Sequence, residues 1–443
     1  MQRLDYELPL VRADAEACAG MEAQLAGVWD PTRRADVKRA LLATRAAYAE
    51  DTWRLVEGRL DRYAHAWVAT REGMCAATRA GEQSAALLDL RMACLDGQLH
   101  FVRATIDELH RADPEIVAAG ARMVAALPDP ASCSREAVLS TQQRTPRDPA
   151  VADAVAALDE ALATARAKES AGRYDEALTL ADEVVGAAER LGDEPLLARA
   201  WLRHGAILDK SGQYEGAAAE LERALTAALA QSMRDESADA ASQLLYVVGY
   251  QQARVEDGRR WVAIARALAR ASGSPRAAAR AAIHAGTLEF TSGHYAQAHD
   301  LWEEGLAHLE ADPTADELDL LSPLGNLAVV ARRQGRYADA RRHSARALEI
   351  AERELGPLHP DLADILNDMG AVANEEGRLD AAREHWERAL AIGSASLGPD
   401  HPSLAASLSN LGLVATNTGD LEAARRYLER ALAIDEAALG PDH

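Results

Sequence analysis

Apolar side chains in the first third of the chain recur at three- and four-residue steps. Trp53, Val56, Leu60, Tyr63 and Trp67 follow one another in this way, which places them on one face of a helix. Asp30-Pro31-Thr32 opens that stretch with proline near the first turn, and helix formers continue almost unbroken to Thr78. Gly81 breaks the pattern. A second long helix is expected from about Glu82 to His110, with Leu87, Leu88, Met92, Leu95 and Leu99 on its apolar side. Asp113-Pro114 starts a third, and Pro128-Asp129-Pro130 ends it. Residues 1–135 therefore read as a helical domain, a hairpin with extra helices. Residues 136–150 are polar with two prolines and read as a linker.

From about residue 151 to 443 the sequence repeats itself. Gly172, Gly212, Gly258, Gly293, Gly335, Gly377 and Gly419 stand 40, 46, 35, 42, 42 and 42 apart. Two positions after them come Tyr174, Tyr214, Arg260, Tyr295, Tyr337, Leu379 and Leu421. Five positions after them stands alanine every time: Ala177, Ala217, Ala263, Ala298, Ala340, Ala382 and Ala424. Such a period, with paired helical patterns, predicts a solenoid of helix hairpins. The glycine supplies a left-handed residue that closes the first helix. The alanine is small because two helices approach closely there. Seven hairpins are expected, at about 151–192, 195–231, 235–272, 275–310, 315–354, 360–395 and 402–438. The third is irregular: Arg260 replaces the aromatic and the spacing slips, so a kink or longer loop is expected at 235–272. The chain stops at Pro441-Asp442-His443, where an eighth hairpin would begin, so the pattern reads as part of a longer array.

Composition supports an all-α class. Hydrophobic residues make up 48% of the 443, aromatics only 4%; the apolar share is mostly Ala and Leu, which favour helices over sheets. The 48 basic and 70 acidic residues leave a net charge of −22, which repels phosphate backbones and argues against nucleic acid as a partner. No stretch approaches the roughly 20 apolar residues of a membrane span, and the start has no apolar signal core.

Chemistry is sparse. The four cysteines, Cys18, Cys75, Cys94 and Cys133, form no Cys-x-x-Cys pair, so a zinc site is not expected. They are either four buried thiols or two disulfides. In the second case Cys75 with Cys94 would bridge the Gly81 turn and Cys18 with Cys133 would tie the domain's ends. His294 and His299 are spaced wrongly for one helix face. His359, His401 and His443 belong to a repeated loop, and His343 and His385 fall on an expected solvated face. No nucleophile, metal or phosphate-loop motif occurs, so neither a catalytic site nor a cofactor is expected.

Asn410-Leu-Gly, Gly419-Asp-Leu-Glu-Ala-Ala-Arg, Leu428-Glu-Arg-Ala-Leu-Ala-Ile and Leu439-Gly-Pro-Asp-His resemble the kinesin-light-chain class of tetratricopeptide repeat. Trp201-Leu-Arg-His-Gly with Gly212-Gln-Tyr resembles the ordinary form. The resemblance implies a right-handed superhelix whose concave face, lined by the first helix of each hairpin, holds a protein or peptide. Residues there that packing does not need are the binding candidates: Asn326, Arg332, Arg333, Asn367, Asn374, Glu375, Asn410, Thr416 and Asn417. Asparagine suits a peptide backbone because it offers both donors and an acceptor. Asn326 and Asn410 could equally serve the repeat itself by bonding neighbouring helices. Gly27-Val-Trp-Asp30, Tyr63-Ala-x-Ala-Trp67, Cys75-Ala-Ala-Thr, Gly81-Glu-Gln-Ser84 and Asp89-Leu-Arg-Met-x-Cys-Leu95 resemble a segment of myxobacterial serine/threonine kinases. There it follows the kinase domain and a membrane span and precedes tetratricopeptide repeats. That resemblance implies the sensor or scaffold part of a receptor kinase, in an extracytoplasmic location. Read with Met1 as its natural start, the chain would instead be a cytoplasmic regulator, one that self-assembles through its repeats into a homo-oligomer.

Overall fold

The computed structural model describes residues 18, 20–134 and 148–440. All but the last three residues of the expected linker 136–150 lie outside them, as do Pro441, Asp442 and His443. Among the described residues the fold is all-α, with 18 α-helices and no strand.

The N-terminal part contains α1 (Pro31–Ala43), α2 (Ala49–Arg79), α3 (Ala85–His110) and α4 (Pro114–Ala125). Asp30 caps α1 by accepting from the Thr32 and Arg33 amides, both at 2.9 Å. The run expected to continue to Thr78 is broken after Ala43. The Thr44 hydroxyl donates to the Leu41 carbonyl at 2.7 Å, and Arg45 turns the chain with φ 59°. The predicted face of α2 does form the core, where Trp53, Val56, Leu60, Tyr63 and Trp67 meet Leu95, Leu99, Val102 and Ile106 of α3 and Ile116 and Val117 of α4.

All four cysteines are in disulfides, but the pairing differs from the expected one. Cys18 joins Cys75 and Cys94 joins Cys133, with Cα separations of 5.9 and 5.7 Å. Helix geometry gives the reason. Cys75 lies six residues before Gly81 and Cys94 thirteen after it. The seven-residue offset amounts to roughly 10 Å along the helices, more than a disulfide spans.

Seven helix pairs follow: α5 (Pro149–Ser170) with α6 (Tyr174–Leu191), α7 (Glu194–Lys210) with α8 (Tyr214–Ala230), α9 (Arg234–Tyr246) with α10 (Val255–Ser272), α11 (Pro275–Thr291) with α12 (Tyr295–Glu310), α13 (Leu321–Arg333) with α14 (Tyr337–Leu355), α15 (Asp361–Glu375) with α16 (Leu379–Leu397), and α17 (Leu404–Thr418) with α18 (Leu421–Leu439). Six of the seven marker glycines sit in the turn inside a pair with φ between 71° and 82°. The alanine five residues on is fully buried at 177, 217, 298, 340 and 382. Sixteen residues separate Gly286 from Trp302, Gly370 from Trp386 and Gly412 from Leu428, and in each case the large side chain lies where a glycine Cβ would be. Trp302 and Trp386 then each donate Nε1–H to a first-helix carbonyl, of Ile283 and Asn367, at 3.0 and 3.1 Å.

The third hairpin is a correction. Gly258 is not in the turn; it lies inside α10. The left-handed turn residue is Ala253, φ 54°. Counted from Ala253 the spacings become 41 and 40, so the array is regular. Gly258 occupies the place that alanine holds elsewhere, because the neighbouring backbone comes too close for a methyl: a Cβ there would run into the Gly249 Cα. A single π-helical turn, Val247–Gln251, is the irregularity that remains.

First helices of successive pairs approach one another, whereas second helices are bridged by long side chains: Arg223 to Glu189, Arg266 to Glu304, Arg346 to Glu310 and Arg388 to Glu352. The first helices are therefore the inner row and the second helices the outer. His343, expected on a solvated face, is buried in α14 at 6% exposure, and His385 is half-buried.

The disulfide-stapled domain touches this array in two places. At the first hairpin, Phe101 and Ala104 of α3 pack on Ala167, Arg173 pairs with Asp113, and Arg111 and Lys168 share Glu176 and Glu108. The second contact joins residues 239 to 295 apart in the chain. Arg59, almost buried, pairs with Asp316 and with Glu354, the latter at 2.6 Å. Arg122 pairs with Asp361. His359, only 1% exposed, lies 2.9 Å through Nε2 from the Ala118 carbonyl, with the Tyr48 ring edge-on at 5.4 Å. Its counterpart one repeat later, His401, is exposed and meets only Ser403. His359 is thus more than a loop residue of the repeat: the docked domain is what buries it.

Candidate binding surface on the inner face

The inner row carries the nine residues picked out from the sequence, but in two roles. Asn367 is committed to the fold, its Oδ1 accepting from the buried Ser407 hydroxyl at 2.8 Å and its carbonyl from Trp386. Thr416 returns its hydroxyl to the Gly412 carbonyl at 2.8 Å. Arg332 and Glu375 bridge α13 and α15 at 2.5 Å. The remaining five, Asn326, Arg333, Asn374, Asn410 and Asn417, have no side-chain partner, so their donors and acceptors are open to a ligand.

Counted back from the turn glycine, Asn326 and Asn410 both stand at the ninth residue, and Arg332, Asn374 and Thr416 at the third. Asn367 is one residue out of that register. The true counterpart of Asn326 and Asn410 is Asp368, whose carboxyl is raised by burial and drawn back down by Arg332. A strict count of 42 residues in either direction would have found it.

Arg333, Asn374 and Asn417 lie in the last turns of their helices. The docked domain instead meets the start of α15, at Asp361. The thirteen residues from Asp361 to Asn374 span about 20 Å of helix, so docking leaves that end uncovered.

Sequence reasoning passed over the earlier hairpins, where the inner row is richer. Tyr246, Tyr250 and His284 stack with ring centroids 5.1 and 4.9 Å apart, and Tyr250 is 40% exposed. His284 lies 2.8 Å through Nδ1 from the Ser242 carbonyl, and burial pushes its imidazole down to about 4, so it is neutral. Arg199 pairs with Asp159, Arg203 with Glu169 and Arg280 with Asp239, each across two successive first helices. Among the described residues no group of three ligating side chains could hold a metal ion, and no helix is long and apolar enough to cross a membrane.

Packed helix pairs recur through all seven hairpins, with a turn glycine and a small alanine in six of them, and comparison with known families gives the repeat a name. A tetratricopeptide-repeat family matches residues 319–375 and 361–437, and another matches 198–231. The chain carries tetratricopeptide repeats. No match to it is found among curated proteins. Several solved structures are similar. A Rap protein in complex with the Competence and Sporulation Factor is 12% identical, covering 88% of this chain and 98% of that one, with a TM-score of 0.49. BtubC from P. vanneervenii is 20% identical over 67% of this chain and 94% of its own, TM-score 0.37. A putative kinesin light chain from Podospora anserina, with nearly identical repeats, is 19% identical over 45% and 95%, TM-score 0.39.

Proposed function

We propose that this chain is a non-catalytic recognition module that holds a peptide or an extended segment of a protein along the inner row of first helices. The observation that carries the reading is the set of five polar side chains without a hydrogen-bond or ion-pair partner, Asn326, Arg333, Asn374, Asn410 and Asn417, on three successive inner helices. Free amides and a free guanidinium on successive helices along a groove suit the donors and acceptors of a peptide backbone. We further propose that the module is the sensor or scaffold part of a serine/threonine kinase receptor, lying outside the cytoplasm. The resemblance of the first 135 residues to such proteins supports this, as do two disulfides, which persist in oxidising compartments.

The test uses peptides selected from a random display library on the full chain. Arg333→Ala, Asn374→Ala and Asn417→Ala together should weaken the binding of peptides seated on the last three hairpins about tenfold or more, with the thermal unfolding midpoint unchanged. Undiminished affinity for every selected peptide would refute a role for this stripe.

A further inference from the structure

A cleft of about 850 Å3 lies between α3 of the stapled domain and the first helices α5, α7 and α9. Both walls carry small side chains: Ala93 and Gly97 on α3, Ala152 and Ala156 on α5. Leu90, Val155 and Leu202 give the cleft an apolar lining. It adjoins no residue of the five-membered stripe described above.

One side chain in it lacks the partner that its neighbours have. Arg199 and Arg203 line the same cleft, and each holds a carboxylate of an adjacent helix. Arg166 holds none. Its guanidinium lies over the Phe101 ring, 4.3 Å from the centroid, and donates once, to the Ala126 carbonyl at 3.3 Å. Burial, and repulsion from Arg203 and Arg280, push its pKa down to about 10. It remains a cation at neutral pH, half-buried, attracted by Glu169 and Asp239 from a distance but with no carboxylate in ion-pair contact. A partly desolvated cation without a contact partner is less stable than a paired one, and an arriving carboxylate supplies the pair. The other end of the cleft has the opposite need. Glu236 has a carboxylate oxygen, Oε2, with no hydrogen-bond partner, and burial raises its pKa. An extended peptide meets both needs, because its backbone N–H groups can donate to Glu236 while a carboxylate reaches Arg166.

From this geometry we infer a second peptide site, in which the cleft between α3 and α5, α7 and α9 takes a segment pairing a carboxylate with a large apolar side chain. The carboxylate, from a side chain or a C-terminus, takes the guanidinium of Arg166, and the apolar side chain lies between Leu90, Val155 and Leu202. The inference deepens the recognition reading, and rests on it for the kind of ligand. The stapled domain would then be one wall of the site as well as a cap on the array.

The experiment is selection of a random dodecapeptide display library on the full, disulfide-bonded chain. The enriched consensus is synthesised with a free and with an amidated C-terminus. The expected consensus pairs Asp, Glu or the terminal carboxylate with Leu, Phe or Trp. Amidation weakens binding if the C-terminus is the anchor, and leaves it unchanged if a side chain is. Arg166→Gln should weaken the consensus peptide about tenfold or more. Ala156→Trp, which fills the exposed wall, should abolish binding, and Arg166→Lys should recover only part of the loss because it lacks the fork. Far-UV circular dichroism checks that the variants fold, and binding of stripe-dependent peptides checks that the rest of the groove is intact. A consensus without carboxylates, or equal binding to Arg166→Gln and Ala156→Trp, overturns the cleft assignment. Loss only in the Arg333/Asn374/Asn417 variant leaves the stripe standing and overturns the cleft. No enrichment at all overturns both.

Discussion

Individual residues in this chain are constrained mostly by how closely two helices of one hairpin approach. A Cβ on Gly286 would lie 2.6 Å from the Trp302 ring, whose Nε1–H is already bonded to the Ile283 carbonyl. Gly286→Ala should therefore cost about 1–3 kcal/mol in urea unfolding, the usual range for overpacking. The opposite change suits Ala253, which holds φ 54° without being glycine. Ala253→Gly should raise stability by about 0.5–1 kcal/mol, since it relieves a left-handed residue at some cost in chain entropy. A third prediction concerns pH. Burial lowers the pKa of His284 to about 4, and that of His359 in the same direction. In the unfolded chain both titrate near about 6.5, so the unfolded state takes up protons that the folded state resists. Stability from the neutral imidazoles is complete above about pH 6.5 and should fall steadily towards about pH 4. Urea midpoints at pH 7.5, 6 and 5 measure it, and His284→Gln should flatten much of the slope.

At the level of elements, the turns, the buried alanines and the long faces of α2 and α3 were legible because each follows from a period in the sequence. The third hairpin was misread for an equally physical reason. Its turn residue is an alanine, and the nearest glycine, Gly258, is there to admit the backbone at Gly249. A glycine needed for close approach looks in sequence like one needed for a turn. The disulfide pairing was misread because proximity to a turn was weighed without the helical rise. Each bond closes a loop of 57 or 39 residues, worth about 4 kcal/mol on loop entropy. Reduction should therefore loosen the stapled domain before the hairpins. Non-reducing peptide mapping should recover Cys18 linked to Cys75 and Cys94 linked to Cys133, and alkylation without reductant should label none of the four.

For the whole molecule, the feature least visible in sequence is the return of the stapled domain onto the fifth and sixth hairpins. Arg59 reads as one more surface arginine on α2, and nothing periodic links it to Asp316 and Glu354. The same holds for Ala118 and His359. The binding stripe was legible as far as the repeat's register carried it, whereas Arg166 was not, since its isolation depends on what Phe101 and Ala126 place around it. Arg59→Ala leaves two mostly covered carboxylates without their shared cation, and should cost up to about 3 kcal/mol, near the lower limit for a buried pair because both keep some water. The loss should show as faster hydrogen exchange at the start of α15 while the first two hairpins are unchanged.

The central claim, recognition along the inner row, is tested most directly by hydrogen–deuterium exchange of the full chain with and without its best library-selected peptide. Protection should concentrate in the first helices α5, α7, α9, α13, α15 and α17. Protection confined to the outer helices α6, α8, α10, α14, α16 and α18 would contradict it.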